Sequence, residues 1–188
     1  MSKKIGLIME DKSDIEVIDQ FLKKYMDESS FSIKKFIGNG CGKLKNKCDI
    51  WTKNLFDMGC YCVIIFHDLD RNNENDLREE LLKKVPEKTY PKSLIVIPIE
   101  EIEAWLLSDE KAIKQVFNLK ARPKKIANPE TIKSPKEHIR DMVWRQGKKR
   151  YLNTVHNKRI ASIITLDNLK RCPSYIPFHD FVTDNICT

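Results

Sequence analysis

Short apolar runs, each closed by acidic or glycine-containing turns, alternate with helical periodicity through the first two thirds of the chain. Residues 3–9 form an apolar run of the length and continuity of a buried strand. Ser13 and Glu16 have the spacing of a capping box, and Ile15, Ile18, Phe21, Leu22 and Tyr25 follow as a helical stripe. Residues 31–37 predict a second, less apolar strand. Residues 49–58 predict a helix with Ile50, Trp51, Leu55 and Met58 on its inner face, ended by Gly59. A third strand is expected at 61–66, a charged amphipathic helix at 76–85, and a fourth strand at 94–99, interrupted late by Pro98. Helical segments follow at 102–107 and 109–117.

This alternation predicts an α/β fold: a mostly parallel four-stranded sheet with right-handed crossovers, flanked by helices. Residues 118–134 are rich in proline and lysine and read as an ordered loop. Beyond them Ser134-Pro135 opens a helix carrying Ile139, Met142 and Val143, and Ile160, Ile163, Ile164 and Leu169 continue the helical pattern. The organisation expected is a core at 1–117 and a basic, mainly helical C-terminal extension at 118–188, packed on it. At 188 residues the chain suits one sizeable domain or one with a small appendage.

Hydrophobic residues make up 41% of the chain, enough for a core and against global disorder. No apolar stretch has the length of a membrane span, and the run before Asp11 is too short for a signal peptide. The cysteines at 41, 48, 60, 62, 172 and 187 form no C-x-x-C pair, which argues for a reduced, cytoplasmic setting without zinc. Net charge is +7, but it is unevenly spread. Residues 118–171 carry fifteen Lys/Arg against four Asp/Glu, while 1–117 carry nineteen against twenty-one. That skew points to a surface that meets a polyanion, although a solvated helical face explains part of it.

The acidic residues gather where the predicted strands end. Glu10, Asp11 and Asp14 follow the first strand, His67, Asp68 and Asp70 the third, and Glu100, Glu101 and Glu103 the fourth. In an open parallel sheet, side chains beyond the carboxyl ends of the strands share one crevice. Two carboxylates about 4 Å apart repel by roughly 4 kcal/mol at an effective dielectric near 20, so such a cluster calls for a cation. Hard oxygen ligands suit Mg²⁺ or Mn²⁺. Each acid also has a bland reading: Asp11 and Asp14 suit a helix first turn, and Asp68 to Asn73 suits a turn. Extended alternation would put Asp68 and Asp70 on one side with Leu69 opposite.

Gly38-Asn39-Gly40-Cys41-Gly42-Lys43 is not a Walker loop, because Ile37 stands where its first glycine belongs and Leu44 where its Ser/Thr belongs. It reads as a turn, or as a close approach to a phosphate with Lys43 beside it. His67, His138, His156 and His179 lack metal-ligand spacing, and Trp51, Trp105 and Trp144 read as packing residues.

The three acidic motifs together resemble the Toprim domain, and more narrowly the Toprim-like nucleases related to the OLD and RloB proteins. Those carry E-G-x-[ST]-E, then D-x-D, then E-x-W-L-L. Glu10-Asp11-Lys12-Ser13-Asp14 matches the first with two departures, Asp11 for Gly and Asp14 for Glu. Asp68-Leu69-Asp70 matches the second and Glu103-Ala104-Trp105-Leu106-Leu107 the third. The stretch Tyr151 … His156 … Ile160-Ala161 … Cys172-Pro173 is similar to the tail of an uncharacterised branch of the group. The resemblance implies a Mg²⁺-dependent (or Mn²⁺-dependent) nuclease of bacterial anti-phage defence, acting on DNA or RNA, tRNA included. It also implies a separate ABC- or SMC-type ATPase partner. Glu10, Asp68, Asp70 and Glu103 would be catalytic and, with Asp14, would hold metal.

On this reading Lys43, Lys136, Arg140, Lys148, Lys149 and Arg150 hold the nucleic-acid backbone. Two other classes remain open. A phosphoacceptor receiver would need a lysine after a fifth strand, which the sequence lacks. A non-catalytic adaptor of an ATPase complex would use the acids only as helix caps.

Overall fold

The computed structural model describes residues 2–187, the Cys41 side chain excepted. Four parallel strands, β1 (Lys3–Met9), β2 (Phe31–Ile37), β3 (Cys62–Phe66) and β4 (Ser93–Val96), form one sheet in the order β2-β1-β3-β4. The interior strands carry the most apolar sequences because both their faces are covered; Ile5 to Met9 and Cys62 to Phe66 are all buried. The edge strand β2 carries Lys34 and Lys35, which blunt an open ladder.

The helices are α1 (Lys12–Leu22), α2 (Cys41–Asp57), α3 (Glu74–Leu82), α4 (Glu103–Leu106), α5 (Glu110–Phe117), α6 (Pro135–Gly147), α7 (Asn153–Ile163), α8 (Leu166–Leu169) and α9 (Ile176–Phe181). Strand alternation divides the apolar side chains between two faces of the sheet. Ile8, Val63, Ile65 and Ile95 meet Leu44, Cys48 and Leu55 of α2 and Leu77 and Leu81 of α3. Ile5, Leu7, Met9, Ile64 and Phe66 meet α1 and the later helices. α2 lies so close to β1 that a Cβ on Gly6 would sit 3.0 Å from Leu55 Cδ1.

The segment after residue 117 shares this core. Ile139, Val143, Ile160, Leu169, Tyr175, Phe178 and Val182 join Ile5, Phe21 and Trp105 in one cluster. α7 packs along α1. The Tyr25 hydroxyl reaches the Tyr175 hydroxyl at 2.7 Å and His179 Nδ1 at 2.8 Å, tying the turn after α1 to the C-terminal turns.

Three local expectations change. α2 begins at Cys41, not 49, growing directly out of the Gly38–Gly40 turn, where Gly40 has φ +121°. Its buried stripe is therefore Leu44, Cys48, Thr52 and Leu55, and Ile50 and Met58 are left 48% and 46% exposed. The capping box does not form: α1 starts at Lys12 after Asp11, and Ser13 is buried with its hydroxyl turned to Asp14 Oδ1 at 3.4 Å. β4 ends at Val96, before Pro98, which has no N–H to continue a ladder. The five cysteines with described side chains, Cys48, Cys60, Cys62, Cys172 and Cys187, are free thiols. Among the described residues no helix is long and apolar enough to cross a membrane.

Candidate functional site

β1 and β3 lie side by side, but the chain leaves β1 toward one edge of the sheet and β3 toward the other. The carboxyl ends of this pair therefore flank the crevice that strand order opens in a parallel sheet. Glu10 is the first residue past β1. Its backbone stays fixed, because Gly38 N–H donates to the Met9 carbonyl and Asn39 N–H to the Glu10 carbonyl, both at 2.8 Å. Beyond β3, His67 N–H donates to the Val96 carbonyl and Leu69 N–H to the Pro98 carbonyl, each at 3.1 Å. Irregular pairing thus carries Asp68 past the strand end toward Glu10. Asp14 enters from the first turn of α1, and Glu103 from the start of α4. Met9, Glu10, Asp14, Phe66, Asp68, Pro98 and Ile102 line a depression of about 10 Å³, close to the least that holds one water-sized particle.

Burial and mutual repulsion outweigh the nearby positive charge at three of these acids. Burial, then repulsion from Asp70, pushes Glu10 up to about 7. Burial, then Glu103 and Asp11, pushes Asp14 up to about 7. Burial, then Asp14, Glu103, Glu10 and Asp70, holds Asp68 well above the usual carboxylate range. Glu10, Asp14, Asp68, Asp70 and Glu103, remote in sequence, thus feel one another through space. Glu10 Oε1 is buried with no hydrogen-bond donor, although His67 Nδ1 lies 3.3 Å away. That nitrogen instead sits 2.7 Å from the Asp68 carbonyl, and burial keeps the His67 pKa below its ordinary value, so the ring is neutral and supplies no charge.

Glu103 is 3% exposed and firmly held. Asn157 Nδ2 of α7 donates to its Oε1 at 3.0 Å, and the Tyr151 hydroxyl approaches the same oxygen at 3.4 Å. Lys136 Nζ stands 3.9 Å from both Glu101 Oε1 and Glu103 Oε1, while its backbone N–H donates to Glu101 Oε2 at 3.0 Å. Burial works against the Lys136 ammonium, but Glu103, Glu101, Asp14 and Asp68 together hold its pKa above that of an ordinary lysine. Lys136 is therefore the cluster's internal counter-charge.

Asp70 departs from the extended geometry expected of the Asp-x-Asp segment. It is exposed and left-handed (φ +46°), as is Arg71 (φ +63°); in the facing turn the half-buried Glu100 is left-handed too (φ +62°). Asp70 N–H reaches the Glu100 carbonyl at 3.3 Å, and Arg71 Nε lies 4.0 Å from Glu100 Oε2. Left-handed conformations at such residues cost on the order of 1–3 kcal/mol each, so the two turns hold each other in place. The turn, not strand alternation, decides where the Asp70 carboxylate goes. Asp14 also has a local task, since its carboxylate accepts from the backbone N–H of Asp11, as the acid of a capping box does.

The donors fit a hard divalent cation: carboxylate oxygens, one of them buried without a donor, with their ionised forms destabilised by burial first and then by one another. Among the described residues, however, no three His, Cys, Asp or Glu side chains already stand as a ready-made cluster around a single ion. The side chains would have to draw together on the cation.

The basic residues are dispersed. Lys43 is exposed in the first turn of α2, whereas Lys45, two residues on and so on another side of the helix, is the α2 lysine whose charge reaches Glu10 and His67. Arg140 is exposed in contacts with Glu137 (3.7 Å) and Asp141 (3.5 Å). Lys148, Lys149 and Arg150 are exposed at the end of α6. Lys45 and Asn157 carry no motif of their own, and Tyr151 stands in the tail stretch without a role assigned to it there; Asn157 reaches Glu103 because α7 folds back on α1. No curated protein and no solved structure shows significant similarity to the chain. The model of one family, a domain of unknown function designated DUF4276, matches residues 9–183, a span that takes in every acid of the crevice, and the chain belongs to that family.

Proposed function

We propose that this protein is a divalent-metal-dependent phosphodiesterase that hydrolyses DNA or RNA. The observation that carries the reading is the approach of Glu10, Asp14 and Asp68 around one strand-end depression, with a buried Glu10 oxygen lacking any donor and with Asp70 and Glu103 near enough for their charges to act on Asp68. Glu10 and Asp68, fixed by strand-end backbone hydrogen bonds, would be the principal metal ligands, with Asp14, Asp70 and Glu103 completing the set. Bound Mg²⁺ or Mn²⁺ would supply an activated water and Lewis acidity toward a phosphate oxygen. The chain's own residues do the positioning. Asn157 and Tyr151 fix the Glu103 carboxylate, and the His67 ring braces the turn that presents Asp68. Lys136 keeps a positive charge at the rim, where a scissile phosphate would arrive. The Toprim-like resemblance of the three motifs extends the proposal to a role in anti-phage defence beside a separate ATPase.

The test is a cleavage assay with Mg²⁺ or Mn²⁺ on single- and double-stranded DNA and on RNA, tRNA included. Wild type should cut at least one substrate, and Glu10→Ala and Asp68→Ala should abolish cutting while remaining folded. Cleavage that survives either substitution refutes the assignment. Absence of any metal-induced rise in melting temperature would leave the acids as helix caps and turn formers, the reading that the Asp14–Asp11 contact favours.

A further inference from the structure

α6 carries a feature that the acidic crevice does not explain. Trp144 is 55% exposed, whereas Trp105 is fully buried and Trp51 is half-buried, stacked on Phe36 at 5.3 Å between ring centres. Trp144 is therefore not a core residue, contrary to its reading from sequence. Lys136, Arg140 and Trp144 follow at four-residue spacing and so share one side of the helix. Lys148 continues the row, its ammonium 5.3 Å from the centre of the Trp144 ring. A rise of about 1.5 Å per residue puts Trp144 roughly 12 Å along α6 from Lys136, the residue that touches the acids. Each step of the row is about 6 Å, a length that one nucleotide of an extended strand can span.

The charge around the indole is complementary to phosphate. Residues 135–150 hold six Lys/Arg against two acids. Those two, Glu137 and Asp141, make only exposed contacts with Arg140, the kind that contribute little and that a phosphate can displace. An exposed aromatic among basic side chains is the arrangement that binds single strands, because an unpaired base offers a free π-face that a duplex keeps within its own stack.

We propose that this face of α6 binds single-stranded nucleic acid, with one base stacked on Trp144 and neighbouring phosphates on Arg140 and Lys148 to Arg150. The row runs from Trp144 back to Lys136, so a strand held there is led toward the acids. This direction rests on the phosphodiesterase reading; the binding itself does not.

The experiment uses the full chain in chelator, with labelled single-stranded DNA and RNA oligonucleotides and their duplexes, read by anisotropy and by tryptophan quenching. Single strands should bind more tightly than duplexes and quench Trp144 emission. Trp144→Ala should weaken binding roughly 5- to 150-fold, the loss of one stacked base, and Trp144→Phe should retain most of it. An unchanged melting temperature in both variants would exclude misfolding. The proposal is overturned if Trp144→Ala binds as wild type does, if duplex is preferred, or if Trp144 is shielded by self-association without oligonucleotide. Should the wild type bind through Trp144 yet never cleave with metal, the phosphodiesterase reading falls and strand binding stands. Should it cleave while Trp144→Ala leaves affinity unchanged, strand binding on α6 falls alone.

Discussion

Asp68→Asn is expected to make the metal-free protein more stable and, at the same time, insensitive to metal. Burial, then Asp14, Glu103, Glu10 and Asp70, disfavours the ionised Asp68, and its neighbours show the scale of such costs. Glu10 titrates at about 7 in the folded chain against 4.5 ordinarily, and Asp14 at about 7 against 3.8. At 1.36 kcal/mol per unit, ionising them in the fold costs about 3 and about 4 kcal/mol more than in the unfolded chain. Burial is the largest cause of each. Asp68 stands in the same surroundings and is itself held well above the usual carboxylate range, so replacing it with a side chain that cannot ionise is expected to return on the order of 1–3 kcal/mol at pH 8, or about 2–12 °C in melting temperature for a chain of this size. In the wild type, Mg²⁺ or Mn²⁺ at a hundredfold excess over its Kd should add about 2.7 kcal/mol, and in Asp68→Asn almost nothing. The assay is thermal unfolding of both proteins in chelator and across a metal titration. A lower melting temperature for metal-free Asp68→Asn, or an undiminished metal response, would show that the acids do not form one charge-stressed site.

The same shifts predict the pH profile of the metal-free wild type. Between about pH 4 and 7 the unfolded chain has already released protons that folded Glu10 and Asp14 retain, so stability should fall as pH rises through that window; denaturant midpoints across it that rise instead would contradict the assigned environments. Asn157→Leu removes the donor at 3.0 Å from Glu103 Oε1 and should cost about 1–3 kcal/mol in urea unfolding, with a loss of metal-dependent cleavage. Gly6→Ala sets a Cβ 3.0 Å from Leu55 Cδ1 and should destabilise by about 1–3 kcal/mol through overpacking between β1 and α2, read from the shift in urea midpoint. Binding of single strands should weaken linearly in log Kd against log salt, and Lys148→Gln with Lys149→Gln should flatten that slope, as loss of two phosphate contacts requires.

What the chain determined locally is the alternation of strands and helices. An interior parallel strand must be apolar on both faces, so Ile5 to Met9 and Cys62 to Phe66 announce themselves, and the acids that follow them fall at a common edge by topology alone. Where a residue's place depends on contacts distant in sequence, the pattern misleads. The face of α2 was set by where the helix starts, at Cys41, and by its fit against Gly6, not by the apolar residues of its second half. Asp70 looks like the partner of Asp68 in a strand, yet the turn braced against Glu100 places it. Lys136 belongs by composition to a basic surface, but the packing of α6 brings its ammonium beside Glu101 and Glu103. Trp144 has the composition of a core residue and is exposed, because Ile139 and Val143 already give α6 its buried side. Periodicity records which residues avoid water; which charges face one another is decided only when helices from opposite ends of the chain close over the same sheet.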